Sequence, residues 1–153
     1  MKAVAYSIQS SEKEHLAKAN QKKHEITLIS NPLSIETVAY AAGKEAVIVF
    51  ESDDVSAAVI NKLAELGVRY IATRSTAVGH IDQDVAAVYG IRVASVPSVL
   101  SENLDLELLS VALAQETIKN LDKWQEGRCL GAACVCSRAC DKAKENAPLA
   151  NPN

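Results

Sequence analysis

Five short apolar runs, each closed by a polar turn, set the architecture open to this chain. Val4, Tyr6 and Ile8 lie in the first; residues 26–29 and 46–50 are the second and third; Tyr70, Ile71 and Ala72 form the fourth, and Ile91, Val93 and Val96 the fifth. The second and third are nearly all apolar, which suits strands covered on both faces by helices. Helical patterns fill the intervals. Ser11 and Glu14 have capping-box spacing for a helix ending near Lys23, and residues 34–42 make a short helix closed by Gly43. Ser52, Asp53 and Asp54 then cap a helix through Leu66, with Val55, Val59, Ile60 and Leu63 on one stripe, and Asp82 opens another that ends at Tyr89, before Gly90. Five strands alternating with four helices predict an α/β fold with a parallel, doubly wound sheet over residues 1–103.

From Leu104 the apolar period lengthens into one helix, residues 104–126. Leu104, Leu108, Val111, Gln115 and Ile118 share a stripe that Leu109, Ala112 and Leu113 widen and Leu121 and Trp124 extend. A helix of that length overhangs so small a sheet, so its apolar stripe either pairs with a second copy of the chain or folds back on its own sheet. The remaining residues, 127–153, carry all four cysteines, Cys129, Cys134, Cys136 and Cys140. Four thiolates in so short a span could wrap a zinc ion or hold an iron–sulfur cluster, with Arg128 and Arg138 lowering the thiol pKa values. The spacing matches neither the paired zinc pattern nor the ferredoxin runs, so the alternative is a helical or disordered tail of reduced cysteines. Residues 145–153, polar with two prolines, are expected to be disordered.

A chain of 153 residues suffices for one well-buried domain. A formal charge of −3 without a basic cluster argues against a nucleic-acid partner. No apolar run approaches a membrane span and the first residues lack signal-peptide features, so the expected location is cytoplasmic.

Small-molecule chemistry is expected at the turn after the fourth strand. In open α/β sheets, ligands bind beyond the carboxyl ends of strands. There Arg74 offers a guanidinium that can hold a carboxylate through two parallel hydrogen bonds, and Ser75, Thr76, Ala77, Val78 and Gly79 bring a hydroxyl and backbone N–H groups. The competing reading makes Arg74 a structural ion-pair partner of Asp82, Asp84 or Glu51. In the turn after the third strand, Ser52 and Asp54 read as helix caps. His80, inside the loop, could donate a hydrogen bond or act as acid or base, but no partner is near it in sequence. His15 and His24 read as solvated surface residues.

Tyr70-Ile71-Ala72, Arg74-Ser75, Ile81-Asp82, Tyr89-Gly90-Ile91 and Val96-Pro97 resemble the matching stretch of the substrate-binding domain of the D-isomer-specific 2-hydroxyacid dehydrogenases, especially their D-lactate dehydrogenase branch. The resemblance covers roughly the first hundred residues. It implies a flavodoxin-like sheet of order 2-1-3-4-5, a turn after strand three that borders the active-site cleft, and a loop whose backbone amides hold a substrate carboxylate. It also implies NAD as the family's cofactor and a long helix that contributes to a dimer, making a homodimer through residues 104–126 the expected partner beside a small carboxylate ligand. This chain departs from the pattern in several places. Ala77 stands where the family usually has Gly; Val99, Ser101 and Leu106-Glu107 stand where it has Tyr, Pro and Glu-His; no G-x-G-x-x-G follows a strand; and the family's catalytic Arg, Glu and His have no positions here. The resemblance therefore implies a 2-hydroxy or 2-oxo acid-binding domain with no catalytic residue, no cofactor site and no dehydrogenase turnover of its own. A non-catalytic dimeric binding module, or a metal or redox role for the cysteines, are the other readings.

Overall fold

The computed structural model describes residues 1–97 and 104–135. Its strands are β1 (Lys2–Ala5), β2 (Glu25–Leu28), β3 (Ala46–Val49), β4 (Tyr70–Thr73) and β5 (Arg92–Ala94). All pair in parallel in the order β2-β1-β3-β4-β5, as expected. The helices are α1 (Ser10–Asn20), α2 (Ala57–Glu65), α3 (Gln83–Val88) and α4 (Leu106–Gln125). Among the described residues, no helix is long and apolar enough to cross a membrane.

Side-chain alternation along the strands divides the core into two layers. Val4, Tyr6, Val47, Val49, Ile71 and Val93 pack with Val59, Ile60 and Leu63 of α2 and Ala86 of α3. The other face carries Ala3, Ala5, Ala46, Ala72 and Ala94 together with the larger Ile26, Leu28, Ile48 and Tyr70, and it meets Leu16 of α1 and Ala114, Ile118, Leu121 and Trp124 of α4. Small residues on this face let two helices settle close to the sheet, and Trp124 stacks on Tyr70 with ring centroids 4.8 Å apart.

The long helix therefore folds back on its own sheet with its C-terminal half, instead of overhanging it throughout. Asn120 also reaches the sheet, donating from Nδ2 to Ser95 O at 3.3 Å. The N-terminal half is less covered: Leu104, Leu106 and Leu108 are 40%, 83% and 55% exposed. After α4 the chain returns to the β5 edge, where Cys134 forms an antiparallel bridge with Ala94 and Ser95 N donates to Ala133 O at 2.9 Å. The segment just after residue 127 is thus docked, with Leu130 and Ala133 buried.

Several local expectations are corrected. The capping box of α1 uses Gln9 and Glu12, not Ser11 and Glu14, and the helix ends at Asn20 with Gln21 in the left-handed region. Residues 34–42 give only a 3-10 turn, Val38–Ala41. Helix α2 begins at Ala57 behind Ser56, so Ser52, Asp53 and Asp54 do not cap it. Val55 instead bridges Ile81. Strand β2 lies at the sheet edge, with Glu25 and Thr27 exposed, and is covered on one face only. Asp82 does cap α3, accepting from Val85 N at 3.1 Å, and Gly90 follows at φ +69.

Candidate functional site

The turns leaving β1, β3 and β4 converge at the carboxyl edge of the sheet, because these strands are adjacent and parallel. Those leaving β1 and β3 are tied to each other, and to the segment after β2, by a buried carboxylate. Asp53, 3% exposed, accepts from Ser7 Oγ at 2.6 Å and Leu33 N at 2.8 Å on Oδ1, and from Phe50 N at 2.7 Å on Oδ2. Ser7 has φ +55, a conformation that costs a non-glycine residue energy and that its bond to Asp53 helps to hold. On the same side Tyr6 donates its hydroxyl to Thr37 O at 2.9 Å, and burial, then the nearby Asp53 charge, push its pKa up to about 12.

Arg74 lies below the rim, 5% exposed. Its Nη1 pairs with Glu12 of α1, its Nη2 donates to Tyr6 O at 3.1 Å and Ser7 O at 3.3 Å, and its guanidinium carbon sits 5.1 Å from the Phe50 ring centre. The guanidinium is engaged within the fold, by Glu12 rather than by Asp82, Asp84 or Glu51. A carboxylate seeking both Nη atoms would have to displace these partners. Glu12 could not be singled out from sequence, since 62 residues separate it from Arg74.

What the loop offers outward is its backbone. Ser75 is buried; its Oγ donates to Glu51 and accepts from Ala77 N at 3.0 Å. Thr76, Ala77 and Gly79 are exposed and Val78 half-buried. Among the described residues, the N–H groups of Thr76, Val78, Gly79 and His80 donate to no protein acceptor. Ala77 stays outside the left-handed region, so alanine in place of the family's glycine brings no backbone strain here. The far end of the loop is tied by Ile81 N to Val78 O at 3.1 Å and by Asp82 N to Val55 O at 3.0 Å. His80 is half-buried, and its Nε2 has no hydrogen-bond partner among the described residues.

The remaining histidines divide. His15 is half-buried on α1, beside a cleft of about 30 Å³ between α1 and α4 that is too small for an organic acid. His24 is buried, contrary to expectation. Its Nε2 lies 2.7 Å from Asp122 Oδ1 and its Nδ1 3.3 Å from the Met1 amine. Lys23 Nζ donates to the other Asp122 oxygen at 2.7 Å. Burial alone would raise the Asp122 pKa, but the bonds from Lys23 and His24 outweigh it and hold the carboxyl below its usual range. These residues fasten the α1–β2 turn to α4. Cys129 is exposed and Cys134 half-buried, and no metal-ligating group of three occurs among the described residues. Cys136 and Cys140, like Val99 and Ser101, lie outside the described residues.

A model of the D-isomer specific 2-hydroxyacid dehydrogenase catalytic domain matches residues 3–104. The chain belongs to that family. Among its relatives, a D-specific alpha-keto acid dehydrogenase of Enterococcus faecalis is 38% identical over 96 residues, covering 60% of this chain and 30% of that protein. The D-lactate dehydrogenase of Escherichia coli is 34% identical over 99 residues, or 64% of this chain and 30% of the enzyme. The apo-structure of the Escherichia coli enzyme superimposes with a TM-score of 0.63, covering 64% of this chain and 31% of the enzyme. A structure of the pyruvate reductase of Chlamydomonas reinhardtii, 25% identical, covers 88% of this chain and 41% of its own at a TM-score of 0.61. This family member thus spans less than half the length of the relatives it matches.

The family implies NAD, but the residues present do not fit it. The β1–α1 turn, residues 6–9, has no glycine, and none of the six glycines lies two positions from another.

Proposed function

We propose that this domain binds a small 2-hydroxy or 2-oxo carboxylate on the loop of residues 76–80, and that its own residues do not carry out hydride transfer. The observation that carries this reading is the set of N–H groups at Thr76, Val78, Gly79 and His80, which donate to no protein acceptor among the described residues. They sit at the carboxyl edge of a parallel sheet, where ligands of such sheets bind. Successive backbone N–H groups in a turn can form an anion-binding concavity without a cationic side chain. The 34% identical relative named D-lactate dehydrogenase supports an acid of that size. Arg74 contributes indirectly, because its bonds to Glu12, Tyr6 O and Ser7 O hold β4 and the β1 turn in register beneath the loop.

Amide-resolved NMR titration of the full chain with lactate and pyruvate tests this reading. Shifts concentrated at the amides of residues 76–80 are expected; uniform or absent shifts refute it. NADH oxidation with pyruvate is expected to stay at the uncatalysed rate, and enzyme-dependent turnover by this chain alone would contradict the second half of the proposal.

A second reading is favoured by Leu104, Leu106 and Leu108, the three large exposed apolar side chains at the start of α4 and just before it. Exposed apolar side chains of this kind suit self-association, giving a dimeric binding module. Light scattering on a size-exclusion column checks it: a dimer that Leu106→Glu converts to monomer supports the reading, and a monomeric wild type removes it.

A further inference from the structure

We infer that Glu51 makes this site selective for 2-hydroxy acids over 2-oxo acids, an inference that rests on the carboxylate-binding reading of residues 76–80. Strands β3 and β4 pair with Val49 opposite Thr73, and extending that register two residues brings Glu51 opposite Ser75. The side chains meet there, Ser75 Oγ donating to Glu51 Oε1. Ser75 Oγ also accepts from Ala77 N at 3.0 Å, so its hydroxyl is committed as donor and acceptor and is not offered to a ligand. Two hydrogen bonds thus separate the Glu51 carboxylate from the loop backbone. Glu51 is exposed, and among the described residues it forms no ion pair and its Oε2 receives no hydrogen bond.

A site that attracts a carboxylate through backbone N–H groups therefore carries an uncompensated negative charge at its lip. An α-hydroxyl can donate to that carboxylate, forming a charge-assisted hydrogen bond. An α-keto oxygen can only accept, and its partial negative charge faces a like charge. A dicarboxylate fares worse, since its second carboxylate meets Glu51 directly. The ligand class that satisfies both the donors and the charge is a monocarboxylic acid with a hydroxyl beside the carboxylate.

The experiment compares lactate with pyruvate by titration of the full chain, wild type and Glu51→Gln, reading both affinities and amide shifts. Wild type should bind lactate about tenfold more tightly than pyruvate, the size expected for one partly solvated hydrogen bond to a charged group. Glu51→Gln keeps an oxygen for Ser75 and removes the charge, so pyruvate binding should improve and the ratio fall to about one. A thermal melt of the variant close to wild type confirms that its fold is retained, as expected at an exposed position. Equal affinities in wild type, or a ratio unchanged by Glu51→Gln, overturn the inference while leaving the loop as the acid site. No shift at residues 76–80 with either acid in either protein overturns the loop reading and this inference together.

Discussion

Replacing Asp53 by asparagine tests whether the turns beneath the loop are held by one buried carboxylate. Asp53 takes three donors on two oxygens: Ser7 Oγ and Leu33 N on Oδ1, Phe50 N on Oδ2. Asparagine has nearly the same shape but a single acceptor oxygen. If that oxygen keeps the Oδ1 position, the new NH2 group faces Phe50 N–H; if it flips, the NH2 faces Leu33 N–H. A backbone donor is left without its acceptor either way, and the surviving bonds lose their charge assistance. Losing a hydrogen bond to a charged group costs about 1.5–3 kcal/mol, and an unpaired, largely buried N–H adds to it, so a loss of about 3 kcal/mol is expected. With a urea dependence of about 2 kcal/mol per molar for a domain of this size, the unfolding midpoint should fall by roughly 1.5 M. Circular dichroism through a urea series measures it. A midpoint within about 0.2 M of wild type would show that the carboxylate is not what fixes these turns.

Two further outcomes follow from buried aromatic side chains. Tyr6 has a folded-state pKa of about 12 against a usual 10.0, so its neutral form is favoured by folding. Its contribution is complete below the unfolded-state value and is lost as pH rises through the interval between the two. Absorbance titration should show one late-ionising tyrosine that disappears in Tyr6→Phe, and a Tyr6 that ionises with exposed phenols would refute the assignment. Trp124, buried and stacked on Tyr70, is the chain's one tryptophan, and Trp124→Ala should cost about 3–5 kcal/mol. Chemical denaturation followed by circular dichroism checks it, and a loss under about 1 kcal/mol would mean that α4 does not hold the sheet.

The strand runs and their turns were readable because each strand carries its own burial signature. Ala46–Val49 is apolar throughout and is buried throughout. Asp82 and Gly90 were readable as cap and helix stop because both act on backbone within a few residues of themselves. Asp53 was misread as a cap from the same kind of local pattern. Its acceptors serve Ser7 and Leu33 as well as Phe50, and nothing beside it in sequence announces those two. His24 was misread for a related reason: its burial depends on Asp122, 98 residues away.

The candidate site divides along the same line. Residues 74–79 could be placed at the mouth of the sheet from the strand that precedes them, since a parallel strand must end in a turn at that edge. Which atoms of the turn face outward was a tertiary matter. Arg74 is drawn inward because α1 packs against the small-residue face and brings Glu12 to it, while the turn after β3 brings Glu51 to Ser75. Periodicity and turn chemistry are local properties, and they determined the five strands and all but one of the helices along the chain. Ion pairing and burial of polar groups depend on distant segments arriving at the same place, so only the assembled fold decided which charges are paired inside and which is left at the rim.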